Sequence, residues 1–164
     1  MLPKHAPERV RQVAGAIYPE AMADSLDRSD LAGPIVFFDG RCGLCHRWVE
    51  FVLPRDPDGR IRFAPQQGPT FERLVPQEQR EHLPDSVFIM DREGTLVGRS
   101  DAALDVLAML HRPWPALAQA ARLVPRGLRD LIYDGVASVR HHFFSRPDTA
   151  CPLVPVALRG RFLP

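Results

Sequence analysis

The chain of 164 residues is poor in lysine, in cysteine and in net charge, and it has no long apolar run. A net charge of +1 gives no electrostatic footprint for a nucleic acid or an anionic membrane surface, so neither partner is expected. No apolar stretch approaches the roughly 18 residues that span a bilayer, and residues 1–14 lack the apolar region of a signal peptide. These absences predict a cytoplasmic protein without a membrane span. Lys4 is the only lysine among 21 basic residues, which indicates a GC-rich, bacterial genome.

Cysteine usage indicates redox or metal chemistry rather than a framework of structural disulfides. The chain has three cysteines, and a bridge between Cys42 and Cys45 would leave Cys151 over. In a reducing compartment a C-x-x-C pair is more often catalytic or metal-binding than structural. Cys42 and Cys45 are therefore the first candidates for a functional site.

The elements predicted around this pair form a βαβ unit. The apolar run Ile35–Phe38 shows no alternation, as expected of a strand buried on both faces. A helix follows from about Cys42 to Leu53, where Pro54 stops it. Alternation at Ile61 and Phe63 predicts a second strand, and a crossover helix between two strands makes them parallel.

The next segment predicts a ββα unit, which completes a thioredoxin-like α/β core. Residues 66–83 predict one or two short helices, and residues 87–97 predict a β-hairpin around Asp91–Gly94. Ser100 is a favourable N-cap for the helix after the hairpin. The resulting order, βαβ and then ββα, places the cysteine pair directly after the first strand.

The two ends of the chain are predicted to be additions to this core. Residues 1–33 form an N-terminal extension with one weakly amphipathic helix, and residues 34–164 form the thioredoxin-like domain. A helical segment begins at about residue 112, and a Pro-rich tail begins at Ser145. The second helix of the segment that begins at about residue 112 carries an apolar stripe, which predicts a buried face. The stripe is formed by Leu128, Leu131, Ile132, Val136, Val139 and Phe143.

The position of the cysteines at the start of a helix predicts thiol–disulfide exchange. Backbone N–H groups and the positive end of the helix dipole favour the thiolate of Cys42, and Arg41 adds a nearby positive charge. Cys45 lies three residues on, where it can resolve a mixed disulfide on Cys42. Asp39 can accept the proton of the resolving thiol, or it can simply cap the turn.

The same residues resemble the DCC family of thiol-disulfide oxidoreductases, which is named for an aspartate followed by two cysteines. Asp39, Cys42 and Cys45 match that pattern. The resemblance implies a thioredoxin-like fold and protein-disulfide oxidoreductase activity, and it runs from about Ile35 to the C-terminus. The weaker matches are Phe63, Gln66, Gln67, Asp85–Val87, Gly98–Ala102, Tyr133, Val139–Arg140, Cys151 and Arg161–Leu163.

Several expectations about the reaction follow. The redox centre is the cysteine pair alone, with no cofactor and no metal, and the partner is a protein or small-molecule thiol or disulfide. General thioredoxins have a cis-proline beside the dithiol, and here that place falls near Ser86 rather than on Pro84. Ser86 is therefore predicted to face the substrate or to tune the dithiol. His46 is predicted to tune it from a partly exposed position.

Three alternative functions remain open from the residues. Cys42-x-x-Cys45-His46 is also the attachment pattern of a c-type haem, for which Met90 or Met109 could supply a second ligand. A zinc site would need ligands from far along the chain, namely Cys151 and the pair His141–His142. A non-catalytic interaction module would use Trp114 and Phe143–Phe144 as contacts.

Overall fold

A computed structural model describes residues 33–143 and 156–164. In this part of the chain, four strands, six α-helices and two 3-10 turns follow one another. The elements are β1 Ile35–Phe38, α1 Gly43–Val52, the 3-10 turn Leu53–Arg55, β2 Arg62–Pro65, α2 Pro69–Leu74, α3 Gln77–Arg80, β3 Phe88–Met90, β4 Leu96–Gly98, α4 Arg99–Met109, α5 Trp114–Arg122, α6 Arg126–Phe143 and the 3-10 turn Val156–Arg161.

The four strands form one sheet in the order β2-β1-β3-β4. Strand β1 is parallel to β2 and antiparallel to β3, and β3 is antiparallel to β4. The topology is therefore a parallel βαβ unit joined to a ββα unit. This is the thioredoxin-like α/β core that the sequence predicts.

Strand β1 is central and is buried on both faces. Val36 and Phe38 belong to the core cluster between the sheet and helices α1 and α4. Ile35 and Phe37 belong to a second cluster on the opposite face, with α2. Successive side chains of a strand alternate between its faces, so a strand covered on both sides must be apolar at every position.

The predicted capping of helix α4 by Ser100 is wrong. The N-cap is Gly98, and the helix begins at Arg99, whose φ of 59° is rare for a residue with a side chain. A Cβ at Gly98 would lie 2.7 Å from the ring of Phe88, so only glycine fits there. Ser100 instead directs its hydroxyl to the carboxylate of Asp130 in α6.

The predicted burial of the apolar stripe on α6 is also wrong. Helix α6 places its polar side inward, where Arg129, Asp130 and Tyr133 are partly buried. The physical reason is the surface that it meets, because the first turn of α4 presents polar Ser100 and Asp101. The outward side chains are 45–69 % exposed, and they are Leu128, Leu131, Ile132, Val136 and Val139.

Polar contacts attach α6 to α4. Arg129 forms an ion pair with Asp101 at 2.8 Å, and Arg126 approaches the same carboxylate at 3.1 Å. The hydrogen bond from the Ser100 hydroxyl lowers the pKa of Asp130, more than burial raises it. The contacts between α6 and α4 are therefore mainly polar and charged, and we expect them to weaken at high salt.

The C-terminal tail is part of the core rather than a simple extension. Phe162 forms a bridge with Phe63 of β2, and the two rings stack at 5.4 Å. Beside them, the Arg161 guanidinium pairs with the buried carboxylate of Asp56 and donates to the carbonyl of Ile61. Burial lowers the pKa of Arg161, and the Asp56 charge opposes that effect.

Some expectations fall outside the described residues or stay untested. The amphipathic helix predicted within residues 1–33 and the position of Cys151 lie outside the described residues, except for Gly33. The domain division at residues 33 and 34 stays a prediction. None of the helices in the described part is both long enough and apolar enough to cross a membrane.

We predict that Arg161→Met destabilises the fold by about 3–5 kcal/mol, because it leaves the Asp56 carboxylate buried and unpaired. Arg159→Met is the matched control, since Arg159 is exposed two residues earlier in the same tail. Urea unfolding measures both free energies. Equal free energies of unfolding for the two variants would contradict a structural role of the buried pair.

Candidate dithiol site

The site begins in the turn that leaves strand β1. The Asp39 carbonyl accepts the N–H of Cys42 at 3.2 Å, and the Asp39 carboxylate Oδ1 accepts the N–H of Arg41 at 2.9 Å. Asp39 therefore stabilises the turn, which is one of the two roles that the sequence allows. The Arg41 side chain is exposed.

Cys42 lies at the N-cap of helix α1. Its backbone is extended, with φ −103° and ψ 116°, and no side chain caps the helix. A serine or aspartate at this position would accept an N–H from the first turn, and a thiolate of Cys42 can take that place. The backbone N–H groups of Gly43 and Leu44 have no acceptor within the helix, because both lie in its first turn.

Cys45 lies three residues after Cys42, on the inner side of α1. Cβ atoms with this spacing are about 5–6 Å apart on a helix, within reach of a disulfide after a small adjustment. Cys42 is 1 % exposed and Cys45 is 9 % exposed, and their sulfurs are not joined in a disulfide. Both thiols therefore lie beneath the surface in this conformation.

His46 is buried, at 6 % exposure, so the expectation of partial exposure is wrong. It follows Cys45 on the inner side of α1, and its ring contacts Phe38 edge-on at 5.9 Å. Its Nε2 lies 3.0 Å from the carbonyl of Gly40, and because a carbonyl only accepts, Nε2 carries the proton. His46 thus holds the turn from inside.

Two glutamines after strand β2 hold the same turn and its neighbour. Gln67 donates from Nε2 to Asp39 Oδ1 at 2.9 Å and accepts the N–H of Gly40 at 3.0 Å. Gln66 donates to the carbonyl of Ser86 at 2.6 Å. Local sequence patterns give neither glutamine a role in the site, because their contacts cross between strands.

Ser86 lies at the same end of the sheet, before strand β3. Its hydroxyl accepts the N–H of Arg99 at 2.7 Å and donates to the carbonyl of Val87 at 2.9 Å. Its side chain is 2 % exposed, so the hydroxyl does not reach solvent in this conformation. The predicted contact of Ser86 with a substrate stays a prediction.

Tyr133 links helix α6 to this end of the sheet, a contact that sequence reasoning does not find. Its hydroxyl accepts the N–H of Val87 at 3.0 Å and lies 3.4 Å from the Ser86 hydroxyl. Tyr133 also packs against the core cluster that contains both cysteines. Helix α6 thereby supplies the acceptor for a backbone N–H group at this end of the sheet.

The geometry does not favour the haem alternative. The His46 ring is buried and its Nε2 is bonded to Gly40, so it is not presented as an axial ligand. Met90 lies in the core cluster on the opposite face of the sheet.

The zinc alternative depends on residues whose side chains the structure does not describe. Within residues 33–139 and 158–164, no group of three or more His, Cys, Asp or Glu side chains is placed to hold a metal ion. Cys151, His141 and His142 fall outside those ranges, so their part in a zinc site stays a prediction.

The interaction-module alternative is altered by the structure. Trp114 packs against Phe51 at 4.8 Å, edge to face, so it is not a free contact residue. The exposed apolar side chains are instead on the outer face of α6, as described above. Phe144 lies outside the described residues.

Comparison with known proteins decides the family. The family model described as DCC1-like thiol-disulfide oxidoreductase matches residues 36–146. The chain belongs to this family. Its match contains Asp39, both cysteines of the dithiol and Gln67, and it stops before Cys151 and the C-terminal tail.

Two relatives of this chain support its assignment to the family. The uncharacterized protein YuxK of Bacillus subtilis (strain 168) is 34% identical over 134 residues, which cover 79% of this chain and 93% of YuxK. The chloroplastic DCC family protein At1g52590 of Arabidopsis thaliana is 33% identical over 119 residues, which cover 71% of this chain and 67% of that protein. No solved structure matches the chain.

We predict that Tyr133→Phe increases the alkylation rate of Cys42 in this DCC1-like protein. The variant removes the hydrogen bond to Val87, and one bond contributes about 0.5–1.5 kcal/mol, or roughly 2- to 12-fold in the population of an opened state. Val136→Ala, on the exposed side of the same helix, is the control. Rates of iodoacetamide labelling at fixed pH measure the effect, and an unchanged rate in Tyr133→Phe would rule out α6 as a barrier.

Proposed function

We propose that this protein is a thiol–disulfide oxidoreductase in which Cys42 attacks and Cys45 resolves. The observation that carries the proposal is the position of Cys42 at an uncapped helix N-terminus, three residues before Cys45. Membership of the DCC1-like thiol-disulfide oxidoreductase family supports it. The proposed substrate is a protein or small-molecule disulfide.

In the first step the Cys42 thiolate attacks one sulfur of the substrate disulfide. A bond forms between Cys42 Sγ and that sulfur, the substrate S–S bond breaks, and the second substrate sulfur leaves as a thiolate. The N–H groups of Gly43 and Leu44 and the helix dipole favour the attacking thiolate. Such an interaction is typically worth about 0.3–1 kcal/mol, and up to about 2 kcal/mol where it is partly buried.

In the second step the Cys45 thiolate attacks Cys42 Sγ. The Cys42–Cys45 disulfide forms, and the substrate leaves as its second thiolate. The two electrons that reduce the substrate come from the cysteine pair, and every step runs in reverse when the pair oxidises a dithiol. We propose that Asp39 assists by accepting the proton of Cys45, in addition to its contacts within the turn.

Burial of both thiols requires an opening before any disulfide can reach them. Nucleophilic attack needs the sulfur atoms to approach in line, which a cysteine that is 1 % exposed does not allow. Helix α6, attached through polar contacts and Tyr133, is the element that we propose moves aside. Two of its ion pairs to α4, Arg126–Asp101 and Arg99–Asp134, are partly exposed and therefore individually weak, which suits a reversible opening.

We predict that Cys42→Ser abolishes disulfide reductase turnover, because serine cannot form the mixed disulfide. Cys45→Ser should instead accumulate a mixed disulfide between Cys42 and the substrate. Cys151→Ser separates a two-cysteine mechanism, which retains turnover, from one that uses all three cysteines. An aromatic disulfide that releases a coloured thiolate provides the assay, with dithiothreitol as reductant. Turnover by Cys42→Ser at the wild-type rate would refute the mechanism.

We also propose that the cysteine pair is the complete redox centre, without haem or zinc. The purified, reduced protein should show no Soret band and much less than one zinc per chain by elemental analysis. A Soret band would establish the haem alternative. Stoichiometric zinc that is lost in Cys42→Ser would establish the metal alternative.

A further inference from the structure

Gly40, two residues before the attacking cysteine, is held at both of its backbone groups. Its N–H donates to Gln67 Oε1 at 3.0 Å, and its carbonyl accepts from His46 Nε2 at 3.0 Å. A Cβ at Gly40 would lie 3.1 Å from Gln67 Oε1, closer than an ordinary contact. Glycine therefore allows the Gln67 amide to approach this backbone closely.

The other end of the same amide holds the Asp39 carboxylate. Gln67 Nε2 donates to Asp39 Oδ1 at 2.9 Å, and the same oxygen accepts the N–H of Arg41. One glutamine thus contacts two consecutive residues of the turn, from a segment 27 and 28 positions further along the chain. Both of its hydrogen-bonding groups are directed at the turn that ends at Cys42.

This turn determines whether Cys42 stays at the N-cap. The N–H of Cys42 is bonded to the Asp39 carbonyl, so a rotation of Asp39 or Gly40 moves the first turn of α1 relative to the Cys42 sulfur. The Asp39 carboxylate is also a negative charge three residues before a sulfur that must become negative. The two hydrogen-bond donors to Oδ1 partly offset the negative charge of the carboxylate. They therefore reduce its electrostatic repulsion of a thiolate at Cys42.

We propose that Gln67 is a positioning residue for the dithiol. Through its amide it fixes the Asp39–Gly40 backbone and the Asp39 carboxylate, and it thereby keeps the thiolate of Cys42 stabilised at the N-cap of α1. This inference rests on the proposed function only in the use that is made of the thiolate, since alkylation of Cys42 is measured in the resting protein.

The experiment measures the pH profile of Cys42 alkylation by iodoacetamide in the reduced, full-length protein. Labelling is followed on the tryptic peptide Cys42–Arg47, where fragment ions separate the two cysteines. In Gln67→Ala the half-maximal rate should move to higher pH, and the rate at neutral pH should fall about 3- to 10-fold, the size of one ordinary hydrogen bond, because Gln67 acts on the thiolate only through the turn. The limiting rate at alkaline pH should be unchanged.

Gln67→Glu tests charge at nearly constant shape. A glutamate keeps an acceptor for the N–H of Gly40, but it replaces the donor with a second carboxylate beside Asp39. The profile should therefore move further than in Gln67→Ala. If shape and packing alone mattered, Gln67→Glu would match the wild type, and that result would overturn the proposal.

Gln77→Ala is the matched control. Its amide also donates to an exposed carboxylate at 2.9 Å, that of Glu81, but outside the dithiol turn. It should keep the wild-type profile. Urea unfolding identifies any Gln67 variant that fails to fold, and if Gln67→Ala fails, Gln67→Glu alone decides the proposal.

The proposal is overturned if Gln67→Glu keeps the wild-type profile, whatever the result for Gln67→Ala. It is also overturned if their rates fall equally at every pH, because that pattern reports access rather than the thiolate. Alkylation needs no disulfide exchange. If the wild-type protein shows no disulfide reductase turnover, the proposed function is refuted but the alkylation result stands. If the Gln67 variants keep the wild-type alkylation profile, the positioning role is refuted but the proposed function stands.

Discussion

Burial of strand β1 on both faces is the constraint on which the rest of the structure depends. Each of its four residues fills one of two core clusters, so the strand has no freedom of register or rotation. Its hydrogen bonds to β2 and β3 fix the order of the sheet. The chain that leaves β1 at Asp39 therefore starts from a fixed position. This constrains where the helix that begins after Cys42 can lie.

The site is built where three chain segments meet at one end of this sheet. The turn after β1 supplies Asp39 and Cys42, the segment after β2 supplies Gln67, and the segment before β3 supplies Ser86. They meet because parallel strands end together, whereas the antiparallel β3 begins there. Hydrogen bonds among these segments pre-organise the helix N-terminus. Tyr133 of helix α6 bonds to the backbone at the same end.

The part of the site that lies within one short segment could be predicted from the sequence. Asp39, Cys42 and Cys45 are neighbours along the chain, and the strand–turn–helix pattern places them without knowledge of any distant residue. The capping of α4 could not be predicted in the same way. Ser100 is a favourable cap by local preference, but the ring of Phe88 forces glycine at position 98, and Asp130 takes the Ser100 hydroxyl. Both partners come from other elements.

The sequence by itself determined the α/β order, the position of the cysteine pair and the family, because each depends on local periodicity or on a contiguous motif. Only the tertiary structure decided which face of α6 is buried, how exposed His46 and the cysteines are, and that Gln67 and Tyr133 reach the site. Burial depends on the surface that a helix meets. The polar first turn of α4 selects the charged side of α6, although amphipathicity favours the apolar one.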